Sequence, residues 1–244
     1  MDHNLLNKQF NEAKPFRHVV IDNFLADFHW HNLLTTFPHP NSDWYTYDNP
    51  FEKKRAIDRL DKMPGFIMQE LAKFNTHIFI DNLEKITGIE GLIPDPSFRG
   101  GGMHQILPGG KLDVHVDFNY HQKLKLDRRL NVILYLNEDW KEEYGGHLEL
   151  WNSTMTQCEK RILPIANRLV IFETTETSFH GHPDPVTCPE GMTRKSLALY
   201  YYTNGRPENE KVAPHSTKFQ MRPTDQTSAE IEALRQKRNE GRLK

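Results

Sequence analysis

The chain has 244 residues, 37% of them hydrophobic and 11% aromatic, enough to bury one sizeable core and to predict one principal domain, not two equal ones. With 31 basic against 33 acidic residues its formal charge is −2, which sets up no broad field for a polyanion, so no nucleic acid partner is expected. No run approaches the about 18–20 apolar residues of a membrane span, and Met1-Asp2-His3-Asn4 opens without a basic and then apolar stretch, so no membrane association and a cytoplasmic location are expected.

In chain order, Pro15 to Asp22 reads as a short strand, and Asn23 to Asp27 as the turn into a helix over 29–36. A Pro- and Asn-rich loop follows. From Pro64, the residues Ile67, Leu71, Phe74, Ile78, Leu83 and Ile86 recur at helical spacing and predict one long helix that closes before Gly88. Its apolar stripe needs a surface to cover. From Arg99 the period shortens, with candidate strands at 102–107, 112–117, 130–136, 147–151, 161–165, 168–173 and 195–202. Pro108-Gly109-Gly110, Gly145-Gly146 and Pro183-Asp184-Pro185 supply the turns between them. Short strands at this spacing predict a mainly β (α+β) fold, a two-sheet jelly roll or barrel with the N-terminal helices packed on one outer face. The expected organisation is a support region over 1–98, a β core over 99–205 and a polar extension over 206–244. In the extension, Thr227-Ser228-Ala229-Glu230 is a candidate capping box for a helix with Ile231 and Leu234 on one side, a stripe too thin for firm docking.

Cys158 and Cys188 are too few for a disulfide framework and form no CxxC pair, which fits a reducing compartment and two bystander thiols. Thirteen histidines offer many candidate ligands. His18, His29, His31, His39, His77 and His215 have no partner at ligand spacing and read as surface or capping residues. The stretch Lys111-Leu112-Asp113-Val114-His115-Val116-Asp117 is different, because strand alternation puts Asp113, His115 and Asp117 on one face. A His-x-Asp pair alone is a weak signal, equally readable as a hydrogen-bonded pair. A second histidine from another strand would complete the two-His, one-carboxylate set that leaves open positions on non-heme iron(II), and both His180 and His182 are available. A bidentate 2-oxo acid needs two of those positions and a cation for its far carboxylate. Arg194, fourteen residues after His180 and followed on the same strand face by Ser196, supplies one.

The span from Met103 to Thr203 resembles the catalytic domain of the prolyl-hydroxylase-like branch of the 2-oxoglutarate/iron(II) dioxygenases. The motifs are His115-Val116-Asp117, Tyr135-Leu136-Asn137-Glu138-Asp139-Trp140, Gly145-Gly146-His147-Leu148, His180, and Arg194 followed by Tyr200-Tyr201-Tyr202. The resemblance implies a double-stranded β-helix with His115, Asp117 and His180 as metal ligands. It further implies that Arg194 grips the distal carboxylate of 2-oxoglutarate with help from the Tyr135 hydroxyl, with Ser196, Leu148 and Tyr200 around the co-substrate. The implied cofactors are iron(II), 2-oxoglutarate and dioxygen, with ascorbate as an optional reductant. Leu107 departs from the tyrosine that oxygen-sensing relatives carry before the Pro-Gly turn. The loop from Pro183 to Gly191 is also longer, so the family's placement of the ligand before a Pro-Val pair favours His180 and leaves His182 as a supporting donor or substrate contact.

Around the expected mouth lie Arg99-Gly100-Gly101-Gly102, His104 and Gln105, with Asn119 and Tyr120 as candidate substrate contacts. The basic run Lys123, Lys125, Arg128 and Arg129 reads as a solvated turn. The expected activity is hydroxylation of a C–H bond in a small molecule or peptidyl substrate, either a prolyl residue or an amino-acid-like metabolite. The alternatives are a non-catalytic cupin-like binding module and, with less support, a zinc hydrolase, for which no His-Glu-x-x-His base is present.

Overall fold

Alternation along two long strands organises the molecule. In a computed structural model that describes residues 1–241, β8 (Leu126–Tyr135) turns Leu130, Val132 and Leu134 into a core with the helices, and Asn131, Ile133 and Tyr135 into a central cavity. Its partner β13 (Arg194–Thr203) does the same, with Leu197, Leu199 and Tyr201 outward and Arg194, Ser196, Ala198 and Tyr200 inward. Residues 242–244, the end of the expected extension, lie outside the described residues.

The remaining strands are β1 (His18–Ile21), β2 (Tyr45–Asn49), β3 (Glu52–Ile57), β4 (Ile93–Pro94), β5 (Gly102–Ile106), β6 (Lys111–Val116), β7 (Tyr120–His121), β9 (Leu148–Trp151), β10 (Cys158–Ile162), β11 (Arg168–Glu173), β12 (His180–His182) and β14 (Lys218–Phe219). They form one antiparallel path in the order β1-β11-β8-β13-β5-β3-β6-β12-β9-β10, with β2, β4, β7 and β14 attached at its sides. The cavity is lined from β5, β8 and β13 on one wall and from β6, β9 and β12 on the other, which makes the path a two-walled jelly roll, the expected double-stranded β-helix. The helices α1 (His3–Glu12), α2 (Asp27–Thr36), α3 (Gly65–Lys73) and α4 (His77–Thr87) cover the outer face of the first wall through Phe10, Leu33, Ile67, Leu71, Leu83 and Ile86. Among the described residues no helix is long and apolar enough to cross a membrane.

Leu197 is fully buried where β13 meets these helices. Leu197→Ala is expected to cost about 2–5 kcal/mol through lost burial and an unfilled cavity. Urea unfolding measures it, and a loss below about 1 kcal/mol would mean that the helices hold the sheet by other means.

Several elements differ from the sequence expectation. The single helix over 64–87 is two, because Thr76 adopts an extended backbone and its hydroxyl returns to the Lys73 carbonyl at 2.7 Å. The apolar spacing survives the break because Phe74 and Phe79 meet each other and Phe24 on the same core. The loop expected after α2 contains the β2–β3 hairpin, whose turn closes on Asn49 Oδ1, an acceptor for the backbone N–H groups of Phe51 and Glu52. His18 is buried against Phe16, not on the surface. The last helix, α5 (Ala229–Asn239), is capped by Ser228, whose hydroxyl accepts from Ile231 N, and not by Thr227. Its docking is polar: Asn239 both donates to and accepts from the Phe219 backbone, at 3.1 and 2.8 Å.

Candidate metal and co-substrate site

The histidine of β6 and that of β12 meet because of strand register. His180 pairs directly with His115, whereas His182 falls opposite Leu112, so the two directly paired imidazoles share the cavity face with ring centroids 4.4 Å apart. Asp117, one residue beyond β6, completes the group: its Oδ1 is 3.7 Å from His115 Nε2 and its Oδ2 is 3.4 Å from His180 Nε2. The three candidate ligand atoms lie within 4.8 Å of one another, and all three residues are buried. Each imidazole is held by its other nitrogen. His115 Nδ1 meets the Asp113 carbonyl at 2.8 Å and His180 Nδ1 the Ser178 carbonyl at 2.9 Å. A carbonyl only accepts, so Nδ1 carries the proton and each Nε2 presents its lone pair inward. Burial, then the neighbouring His115, lowers the His180 pKa to about 4, which keeps that ring neutral and ligand-ready.

Asp117 stays ionised. Burial opposes its charge, but the neighbouring Arg128 guanidinium holds its pKa well below the usual carboxylate range. Arg128 NH2 lies 3.2 Å from Asp117 Oδ2, and Asn131 Nδ2 donates to the same oxygen at 2.6 Å while its own Oδ1 accepts from Arg128 Nε at 3.0 Å. The guanidinium is sandwiched, with Cζ 3.4 Å from the Tyr200 ring centroid and 4.4 Å from that of Phe118. This corrects the reading of the basic run as a solvated turn. Arg128 is fully buried and Arg129 is 5% exposed, the latter bonded to Glu210. Only the first half of the run is surface.

Arg194 enters the same cavity, of about 250 Å³, from β13. Its Nε donates to the Gly146 carbonyl at 2.7 Å and its NH2 to the Tyr135 hydroxyl at 3.3 Å. Gly146 has φ +67°, and a Cβ there would sit 2.9 Å from Arg194 Cδ, so this turn needs glycine. Among the described residues no carboxylate pairs with Arg194, although it is only 4% exposed. A buried guanidinium without a counter-charge marks a place for an anion.

Of the other sequence candidates, Ser196, Leu148, Tyr200 and His182 line this cavity. His182 Nδ1 is buried with no hydrogen-bond partner. Asn119 and Tyr120 are not among its lining residues. Asn119 ties down the C-terminal segment, donating to the Ala213 carbonyl at 3.1 Å and accepting from His215 N at 2.8 Å, and Tyr120 lines a neighbouring cavity with His121 and Pro214. Of the glycine run, Gly100 lines the cavity, whereas Gly101 and Gly102 serve the protein's own packing: a Cβ on Gly102 would stand 2.5 Å from the Ile57 carbonyl oxygen on β3.

Two imidazoles and one carboxylate that leave open positions, beside an uncompensated cation, define a metal site suited to a chelating dicarboxylic acid. Residues 101–202 match the 2OG-Fe(II) oxygenase superfamily, and this stretch carries all three candidate ligands and Arg194. Over this stretch the chain is similar to that superfamily. The chain is 27% identical over 201 residues to the prolyl 3-hydroxylase OGFOD1 of Mus musculus, a match that takes in 78% of this chain and 33% of that protein. It therefore spans about a third of the length of that relative. Among solved structures, a Pseudomonas putida prolyl-4-hydroxylase superposes with a TM-score of 0.57 at 17% identity, covering 82% of this chain and 100% of the other. A prolyl hydroxylase from Trichoplax adhaerens, solved with a hypoxia-inducible-factor peptide fragment, gives 0.53 at 18% identity, covering 82% and 90%. These two likenesses support the fold.

Proposed function

We propose that this protein is an iron(II)- and 2-oxoglutarate-dependent dioxygenase that hydroxylates a C–H bond in a prolyl residue or an amino-acid-like small molecule. The observation that carries the reading is the convergence, in one cavity, of His115, Asp117 and His180 with the unpaired guanidinium of Arg194. When bound, iron(II) with 2-oxoglutarate and dioxygen supplies oxidative decarboxylation to succinate and CO2 and insertion of one oxygen atom into the substrate. The chain's own residues orient and enclose. His115, Asp117 and His180 hold the metal, and Arg128 with Asn131 fixes the Asp117 carboxylate. Arg194 and the Tyr135 hydroxyl grip the distal carboxylate of 2-oxoglutarate, with Ser196, Leu148 and Tyr200 as its walls. Cavity walls that exclude water strengthen each of these polar contacts. A cupin-like binding module would have no use for Arg194, so the unpaired cation favours catalysis. Cys158 and Cys188 are both free thiols, which supports a reducing, cytoplasmic setting.

The test is anaerobic addition of iron(II) and 2-oxoglutarate, which should raise the visible charge-transfer absorption of an iron–2-oxo-acid chelate. Admission of air should then release succinate and add one oxygen atom to a substrate drawn from a library. Absence of the absorption band removes the reading.

A further inference from the structure

The cavity has a second polar wall that the metal and co-substrate do not use. The β2–β3 hairpin contributes Tyr47, Glu52 and Lys54, and the C-terminal segment contributes Thr217, Phe219 and Arg238. None of these six residues lies within 101–202, the stretch that matches the superfamily.

The C-terminal segment is built into the barrel. One edge of β6 is taken by β12, and the other is shared: β3 pairs with Lys111 and Leu112, and β14 pairs with His115 and Val116. Gln220 N donates to the Val114 carbonyl at 2.8 Å, which fills the interval. Phe219, directly opposite His115, sets its ring 5.6 Å from that imidazole and stacks 5.2 Å from Phe51. The strand that carries the first metal ligand therefore has no free edge on which an extended peptide could add as a further strand. Above it, α5 brings Arg238 to within 3.0 Å of Glu52 Oε1, closing a strap between the C-terminal segment and the hairpin.

Charge then indicates what the enclosed space takes. Asp117 is matched by Arg128, and Arg194 is matched by the distal carboxylate of 2-oxoglutarate. What remains on the second wall is one carboxylate, Glu52, between two cations: Lys54 Nζ at 3.1 Å and Arg238 NH2 at 3.0 Å. One positive charge is left over on Lys54 and Arg238, whose side chains are half-buried at 17% and 21% exposure, and an excess charge lining a cavity favours an anion. The volume limits its size. At about 250 Å³, shared with 2-oxoglutarate, the cavity lies below the about 300–1,000 Å³ of sites that take drug-sized ligands.

We propose that the primary substrate is a small free carboxylic acid of amino-acid size, its carboxylate held by Arg238 and Lys54 beneath the C-terminal strap, and not a prolyl residue within a polypeptide. The inference rests on the dioxygenase reading and names the substrate class of that site. Arg238 and Lys54 determine specificity through the carboxylate, while the C–H bond to be oxidised points toward the metal.

The test uses the full chain with iron(II), 2-oxoglutarate and air. Succinate release is measured with free L-proline, L-pipecolate and a set of aliphatic amino acids, each against its carboxamide, and against a proline-centred peptide blocked at both ends. At least one free acid is expected to stimulate release while its carboxamide and the blocked peptide do not. Arg238→Gln should raise the KM for that acid by about tenfold or more, the loss of one charge-assisted hydrogen bond, and Arg238→Lys should restore part of it. Lys237→Gln, the exposed neighbour, is the control. In Arg238→Gln the anaerobic charge-transfer band should titrate at the same 2-oxoglutarate concentration as in the unaltered chain. Three results overturn the inference: turnover of the blocked peptide or a carboxamide as efficient as that of the acid, no stimulation by any acid in the set, or a shift of the 2-oxoglutarate titration in Arg238→Gln. Failure of the unaltered chain to form the band at all counts instead against the dioxygenase reading.

Discussion

Asp117→Ala is expected to abolish succinate formation and to remove iron(II) from the protein. Asp117 is the only anion among the three candidate ligands, so its loss leaves two imidazoles to hold a dication. The damage is compounded by Arg128, whose guanidinium lies 3.2 Å from the carboxylate in the intact chain. Without it, a buried positive charge faces the metal position with nothing to balance it. Asn131→Ala provides the graded comparison. It removes the 2.6 Å hydrogen bond to Asp117 Oδ2 and leaves the ligand, and loss of such an outer partner costs about 10–100-fold in metal affinity. Iron content after anaerobic loading and dialysis orders the three proteins: unaltered chain, then Asn131→Ala, then Asp117→Ala. Thermal melts identify any variant that fails to fold. A folded Asp117→Ala protein that retains iron and activity would refute the ligand set.

How much of this was legible beforehand depended on the range of the interaction. The strand over 168–173 was readable to the residue because its short apolar run Leu169–Phe172 is a local signal and Asn167, at φ 58°, turns the chain just before it. The shared face of Arg194 and Ser196 followed from the two-residue period of a strand, whereas the place of Tyr135 was implied by the family resemblance. The choice between His180 and His182 did not follow from that period, since alternation puts both on one face; what separates them is the cross-strand pairing of His180 with His115, a long-range register that no local pattern encodes. The strand they share was missed because it has three residues with glycine in the middle. Arg128 was misread because a basic run normally faces water, and its burial depends on Phe118, Tyr200 and Asp117 arriving from other elements. The C-terminal strap was hidden for a related reason. Its helix carries a thin apolar stripe, and it is held by the Asn239 bonds to Phe219 and the Arg238 bridge to Glu52, none of which leaves a periodic trace.

Arg194→Ala is expected to separate the two halves of the site. Arg194 makes no bond to the three candidate metal ligands; its recorded partners are the Gly146 carbonyl and the Tyr135 hydroxyl, so iron binding should persist. Affinity for 2-oxoglutarate should not. Removing one partner of a buried, hydrogen-bonded charge pair costs about 2–5 kcal/mol, which at about 1.4 kcal/mol per tenfold is a loss of roughly 30- to 4,000-fold. The anaerobic charge-transfer band should therefore titrate at far higher 2-oxoglutarate concentration. Arg194→Lys should recover only part of the affinity, because an ammonium is a point charge that cannot bond the Gly146 carbonyl and the Tyr135 hydroxyl while still presenting a planar fork to a carboxylate. Tyr135→Phe removes the hydroxyl alone and should cost less than either change at Arg194. If Arg194→Ala binds 2-oxoglutarate as the unaltered chain does, the distal carboxylate is held elsewhere. The cations of the second wall, Lys54 and Arg238, would then be the first place to look.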